Sequence, residues 1–263
     1  MDKLKDQQIL ALIQSYHANP WADNLKVLDS SRYQSFYAPM DHINPEARIV
    51  LVGITPGITQ AKNAYEAAQS SLNEGASLKE ALETAKLTAS FSGTMRKNLI
   101  RMLDHVNLNK VLGISSCETL FSDNQHLCHF TSVLRYPTLK DKEMLKTAKP
   151  ALSETGLKSL METYFIGEVT QLSEAIYIPL GQGVADVLLH LVDRGLLMRE
   201  QVFSGIPHPS GANAERIAYF LGQKEKELLS PKTNSTTIDA RRLALQEQLK
   251  LLSNSMHGGQ HAL

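Results

Sequence analysis

His208 lies between two prolines in the run Gly205-Ile206-Pro207-His208-Pro209-Ser210-Gly211-Ala212-Asn213. Each proline ring fixes its own φ, and the second also restricts the residue before it, so the imidazole is stiffly presented. Ser210, Gly211 and Asn213 suit a tight turn and a helix start whose backbone N–H groups can meet an anion. A rigid imidazole beside such a turn can place one hydrogen bond on a ligand that carries or develops negative charge. The alternative is a proline-stiffened surface turn with no chemical role.

The residues before this segment say where it sits. Gln201-Val202-Phe203 is a short apolar run that reads as the end of a strand, and in open α/β sheets ligands bind beyond strand ends. A second strand lies far upstream, where Ala47-Arg48-Ile49-Val50-Leu51-Val52 has the near-continuous apolar character of a strand buried on both faces. It ends in Gly53-Ile54-Thr55-Pro56-Gly57, a turn that brings backbone close to a ligand, with a helical stretch from about Gln60. Taken alone, this could be an ordinary strand-to-helix connection.

The two segments together resemble the uracil-DNA glycosylase superfamily, whose members carry an early G-x-[D/N]-P-[Y/G] motif and a late H-P-S or N-P-S motif. Phe91-Ser92-Gly93 resembles the family's F-x-G segment, and Phe130-Thr131-Ser132-Val133-Leu134-Arg135 resembles its central T-N-x-[VL]-[KR] strand. Ala175-Ile176-Tyr177-Ile178-Pro179-Leu180-Gly181 looks like the strand before the final motif. The resemblance runs over roughly residues 45 to 222, with its motifs in the family's order.

It implies a three-layer α/β/α domain on a central, mostly parallel four-stranded sheet, spanning residues 1–230 with a helical insertion at 60–90. A C-terminal helix and flexible tail (231–263) would follow. It also implies hydrolysis of the N-glycosidic bond of a deaminated or damaged base in single- or double-stranded DNA. His208 would donate to the base O2 as charge builds there, and Thr55 would hold the water. The base would be bound by Gly53, Ile54, Pro56, Gly57, Phe91 and Ser132, with Phe91 stacking on it. DNA phosphates would meet Ser210, Gly211, Ala212, Asn213 and Arg216.

Several positions depart from the family pattern. Thr55 stands where Asp or Asn orients or activates water, and a hydroxyl cannot accept a proton near neutral pH. Ser132 stands where Asn presents a donor and an acceptor to the uracil edge, so another residue reads the base or the base is not uracil. Gly57 replaces a bulky tyrosine of one branch, which implies a roomier pocket. Ala212 falls near the wedge position and is small for filling the gap a flipped base leaves.

Bulk properties narrow the classes. A chain of 263 residues with 43% hydrophobic and 21% charged residues has the make-up of an ordinary single α/β domain. No apolar run approaches a membrane span, and the N-terminus lacks a signal-like stretch, so a cytoplasmic protein is expected. Two cysteines, Cys117 and Cys128, read as reduced thiols and are too few for the iron–sulfur cluster of some relatives. Zinc held by Cys117, His126, Cys128 and His129 is a weaker alternative, and no metal or cofactor is expected.

Lys plus Arg equal Asp plus Glu at 27 each, so no global field draws in DNA. A local patch could still form from Lys62, Arg96, Lys97, Arg101, Arg135 and Arg216. Zero net charge and Ala212 keep open a second reading, a glycosylase-fold protein that binds a nucleoside, nucleotide or nucleic acid with little or no excision. A third is an interaction protein with a vestigial pocket.

Overall fold

The computed structural model describes residues 3–258. The chain opens with α1 (Asp6–Gln14) and the short strands β1 (Lys26–Asp29) and β2 (Tyr33–Phe36). The buried strand β3 (Ile49–Gly53) follows, then the helices α2 (Ile58–Asn73), α3 (Leu78–Ala89), α4 (Thr94–His105) and α5 (Leu108–Leu112). Next come β4 (Cys128–Ser132), β5 (Thr138–Lys140) and β6 (Glu143–Met144). Helix α6 (Thr155–Leu160) runs through a π turn into α7 (Ile166–Gln171), ahead of β7 (Ile176–Pro179) and α8 (Gln182–Asp193). Helices α9 (Ala214–Phe220) and α10 (Ser235–Gly258) complete the described chain.

The central sheet has the order β4-β3-β7, with all three strands parallel. Every residue of β3 is buried, as its apolar run requires of a middle strand covered on both faces. Alternate side chains serve two cores: Val50 and Val52 join one cluster, Ile49 and Leu51 the other. This is the expected α/β architecture, with one strand fewer. The fourth strand is reduced to a single parallel bridge from Val202 to Tyr177, followed by a bond from the Phe203 N–H to the Tyr177 carbonyl at 2.9 Å. Pro207 and Pro209 lack N–H donors, so no ladder can extend through the segment that carries His208.

A second, antiparallel sheet of order β1-β2-β5-β6 contributes Tyr33, Phe36 and Leu139 to the first core. Its strands are two to four residues long. Strands this short carry too little alternation to be read. The insertion is a helical hairpin in which Ala61, Ala64, Ala68, Ala81, Ala85 and Ala89 are all buried. Small residues let the two helices approach closely, while Tyr65 stacks on Tyr16 at 4.0 Å and its hydroxyl donates to the Tyr37 carbonyl. Helix α10 runs over 24 residues, and its Leu245 and Leu249 are buried in the second core. The final stretch of the expected flexible tail, 259–263, lies outside the described residues.

Candidate active site

Strand β3 delivers its C-terminal turn to the floor of a cavity of about 710 Å³. Gly53, Ile54, Thr55 and Gly57 line it from one side, and Pro207, His208, Ser210, Ala212 and Asn213 from the other. Two loops some 150 residues apart therefore meet across one cleft, at the carboxyl ends of the parallel strands. The first turn is pinned by β4 running on past its end: Val133 and Leu134 N–H groups donate to the Gly53 and Ile54 carbonyls at 3.0 and 3.1 Å. The second is tied to the turn between β7 and α8 by the Gly181 N–H on the Ile206 carbonyl (3.0 Å) and to α4 by Asn98 Nδ2 on the Pro209 carbonyl (3.0 Å).

Two glycines make the close approaches possible. A Cβ on Gly53 would lie 3.1 Å from Ser132 Oγ and 3.3 Å from Phe91 Cε1, so a side chain there would push hydroxyl and ring back by a few tenths of an ångström. Gly181, at φ +91°, backs His208, whose Cβ would stand 3.2 Å from an added methyl group. Phe91 itself sits at φ +52°, a left-handed conformation that costs a non-glycine residue about 1 kcal/mol or more. The strain is local to the site and turns the Phe91 ring over Gly53, edge-on to Phe130 at 6.2 Å.

The protonation state of His208 follows from its contacts. The Ser210 N–H donates to Nδ1 at 3.3 Å, so that nitrogen is the acceptor and the proton of the neutral ring resides on Nε2. Burial pushes the His208 pKa below the ordinary histidine range, which keeps the ring neutral at neutral pH. Thr55 Oγ1 donates to the Tyr136 carbonyl at 2.8 Å. Its hydrogen is thereby engaged, which leaves the oxygen of this cavity-lining residue as an acceptor only.

The cleft assembles most of the residues singled out in the sequence, with corrections of detail. Gly211 is exposed on the turn and does not line the cavity, and Pro56 borders a neighbouring void of about 10 Å³ instead. The Ser210 and Asn213 N–H groups, expected to meet an anion, are engaged within the loop, by His208 Nδ1 and by the Ser210 carbonyl. Of the six cations considered for a DNA patch, only Arg216 lines the cavity. Arg96 caps the end of α3, donating to the Leu87, Thr88 and Ser90 carbonyls, and stacks on Phe121 at 4.4 Å. Arg135 is buried in ion pairs with Glu168 (2.6 Å) and Asp41 (3.4 Å). Among the described residues no group of three His, Cys, Asp or Glu side chains converges on a metal position.

Other lining residues carried no motif. Gln60, in the first turn of α2, borders both the cavity and the small void and is 7% exposed. Its Oε1 accepts a long bond from the Phe91 N–H (3.4 Å), and its Nε2 reaches only the Met95 sulfur, at 3.9 Å. Thr131 Oγ1, on the same void, is buried with no partner among the described residues. The one signal in sequence was a glutamine on the alanine-rich, inward face of α2.

The family model described as the Uracil DNA glycosylase superfamily matches residues 40–231. Among curated proteins, an uncharacterized protein YoxB of Bacillus subtilis (strain 168) is similar, 38% identical over 197 residues covering 73% of this chain and 76% of that one. No solved structure matches. With both motif loops facing one cleft and the match spanning most of the fold, the chain belongs to the uracil DNA glycosylase superfamily.

Proposed function

We propose that this protein hydrolyses the N-glycosidic bond of a deaminated or damaged base, uracil or a related one, in DNA. The observation that carries the reading is the meeting of Thr55, Phe91, Ser132 and His208 on one cavity at the ends of the parallel strands. A base turned out of its stack would slide against the Phe91 ring. As the glycosidic bond lengthens, electrons flow onto the base, and the neutral Nε2–H of His208 would donate to the oxygen that gains charge. One such preorganised donor is typically worth about 3–4 kcal/mol in the transition state.

Water must then reach the sugar carbon. Because Thr55 Oγ1 already gives its hydrogen to Tyr136, it can accept one from water and leave the water's lone pair free to attack. That orients the nucleophile without taking its proton, which passes to the departed base anion or to solvent as the C–O bond forms, enough for a sugar that is already cation-like. Gln60 would read the base edge where Ser132 is too short: its amide offers one donor and one acceptor, and neither is held by a strong bond.

The test is a panel of oligonucleotides containing uracil, hypoxanthine, xanthine or mismatched thymine, assayed for abasic sites. Cleavage of at least one by the wild type, lost in His208→Ala, supports the reading. No cleavage of any leaves the second reading, a glycosylase-fold protein that binds a nucleoside, nucleotide or nucleic acid. The lack of a proton acceptor at Thr55 favours that one.

A further inference from the structure

Residues 232–241 lie past the stretch that matches the family, yet Lys232, Asn234, Thr237, Ile238 and Arg241 line the cavity. Positions 234, 237–238 and 241 recur at helical spacing, so one face of the start of α10 looks into the cleft. The charged side chains on the lining are Lys146, Arg216, Lys232 and Arg241, with no carboxylate among them, in a chain whose charges balance overall. Lys146 is paired with Glu143 at 2.9 Å. Arg216 is aimed by Asn213 Oδ1 (2.8 Å) and the Lys232 carbonyl (3.1 Å). Arg241 feels Asp186, which is itself paired with Lys149 at 2.8 Å.

The segment is fixed in place. Glu215 accepts from Lys224 Nζ (2.8 Å), from the Ser230 N–H (3.1 Å) and from the Ser230 and Thr233 hydroxyls, a set that holds its carboxyl well below the usual range. Asn234 Oδ1 caps α10 by accepting from the Thr237 N–H at 3.0 Å. Asp239 accepts from the Tyr219 hydroxyl (2.7 Å), and Arg242 donates to the Phe220 carbonyl (2.8 Å). A wall anchored at so many points stands ready before any ligand arrives.

We propose that this C-terminal wall, through Lys232 and Arg241 acting with Arg216, grips the phosphodiester backbone of a single nucleic-acid strand whose base enters the cavity. The proposal rests on the glycosylase reading for what the base does, and on the charge of the lining for the phosphates. A single strand is favoured over a duplex because Ala212, exposed at the lip, offers nothing large enough to fill the gap in a stack. The positive end of the α10 macrodipole, facing the same side, adds to the attraction.

The experiment measures binding of a fluorescent thymidine oligonucleotide, single-stranded or annealed to its complement, over a series of salt concentrations. Each phosphate neutralised contributes about 0.7 to the slope of log affinity against log salt on a single strand. The double variant Lys232→Ala/Arg241→Ala should lower that slope by about 1.4 and weaken binding at low salt by tenfold or more. Lys158→Ala, exposed away from the cavity, should change neither, and thermal unfolding checks that each variant folds. The pair Lys232→Gln/Arg241→Gln should behave as the alanine pair does, since charge is the agent.

An unchanged slope in the double variant, a preference for duplex, or failure of the wild type to bind either form would overturn the wall. The two readings fail separately. Excision with an unchanged slope sinks the wall and leaves the glycosylase, whereas a lowered slope without excision of any base sinks the glycosylase and leaves the wall.

Discussion

Two histidines of this protein share a tautomer and differ in everything that follows from it. His129 accepts the Asn44 N–H on Nδ1 (3.4 Å) and presents Nε2 to Glu168 at 3.2 Å, inside a buried cluster with Arg135 and Lys86. His208 accepts the Ser210 N–H on Nδ1 and presents Nε2 to the cavity. Every ionisable side chain of the first region is strongly perturbed. Burial, then nearby Lys86, pushes His129 down to about 4, and burial lowers Lys86 to about 8 against the pull of Glu168. Against the upward push of burial, Arg135, Lys86 and His129 hold Glu168 well below the carboxylate range. Yet each charge there has a partner, so the perturbation reports a sealed structural network rather than chemistry. The candidate active site is the quieter region, where a donor has been left without a protein acceptor among the described residues.

The comparison breaks first at Glu168. Its replacement by Ala would leave buried Lys86 without its carboxylate and buried Arg135 with Asp41 alone, and losing one partner of a buried pair typically costs about 3–5 kcal/mol. A steep drop in the unfolding midpoint is expected, with excision per folded molecule retained. Acid attacks the same cluster. The unfolded chain protonates His129 near its ordinary value of about 6.5 but the fold only near 4, so stability present above 6.5 is lost as pH falls through that window. Glu168 adds to the loss at still lower pH. A midpoint that does not move between those limits would contradict a neutral buried His129.

His208→Ala should do the reverse, cutting excision by about 10²–10³-fold while leaving stability within about 1 kcal/mol. Rate against pH offers a finer view. With its pKa lowered by burial, His208 stays neutral through the ordinary histidine range, so activity should decline only below it. A fall centred on 6.5 would mean that the ring is less sheltered than its surroundings indicate.

How much of this could be read beforehand divides along the same line. The middle strand announced itself by its apolar run at 47–52, and the two motif loops by glycine and proline at fixed places, because backbone geometry there depends on residues close in sequence. Arg135 and Arg96 gave no such sign. Nothing local separates a surface arginine from one paired with Glu168 and Asp41, which lie 33 and 94 residues away. Lys232 and Arg241 were hidden in the opposite sense: their polar stretch looks like a solvated helix end, and only the docking of Leu245 and Leu249 turns it toward the cleft. Gln60 falls between these cases, legible as out of place but not as a reader of bases.

Gln60→Leu sharpens the picture of the pocket. It keeps most of the side-chain volume and removes both polar groups, so discrimination between bases should shrink by about 10–100-fold, the equivalent of one or two lost hydrogen bonds. The rate on the poorest substrate should change much less. Equal losses on every base would make Gln60 a support for Phe91 rather than a reader.

Thr55 gives the smallest expected effect and the most discriminating one. The family's Asp and Asn look interchangeable at this position, but here the side chain must also donate to the Tyr136 carbonyl. Asparagine can do so through Nδ2 while offering Oδ1 to the water, so Thr55→Asn should raise excision by about tenfold at unchanged stability. Aspartate has no hydrogen to give at neutral pH and would set its charge against the carbonyl, so Thr55→Asp should lose about 1 kcal/mol of stability and gain less. Thr55→Val lacks both functions and should lower stability and rate together. If Asp outperforms Asn, the tether to Tyr136 is not what orients this residue, and the water position assigned from it is wrong.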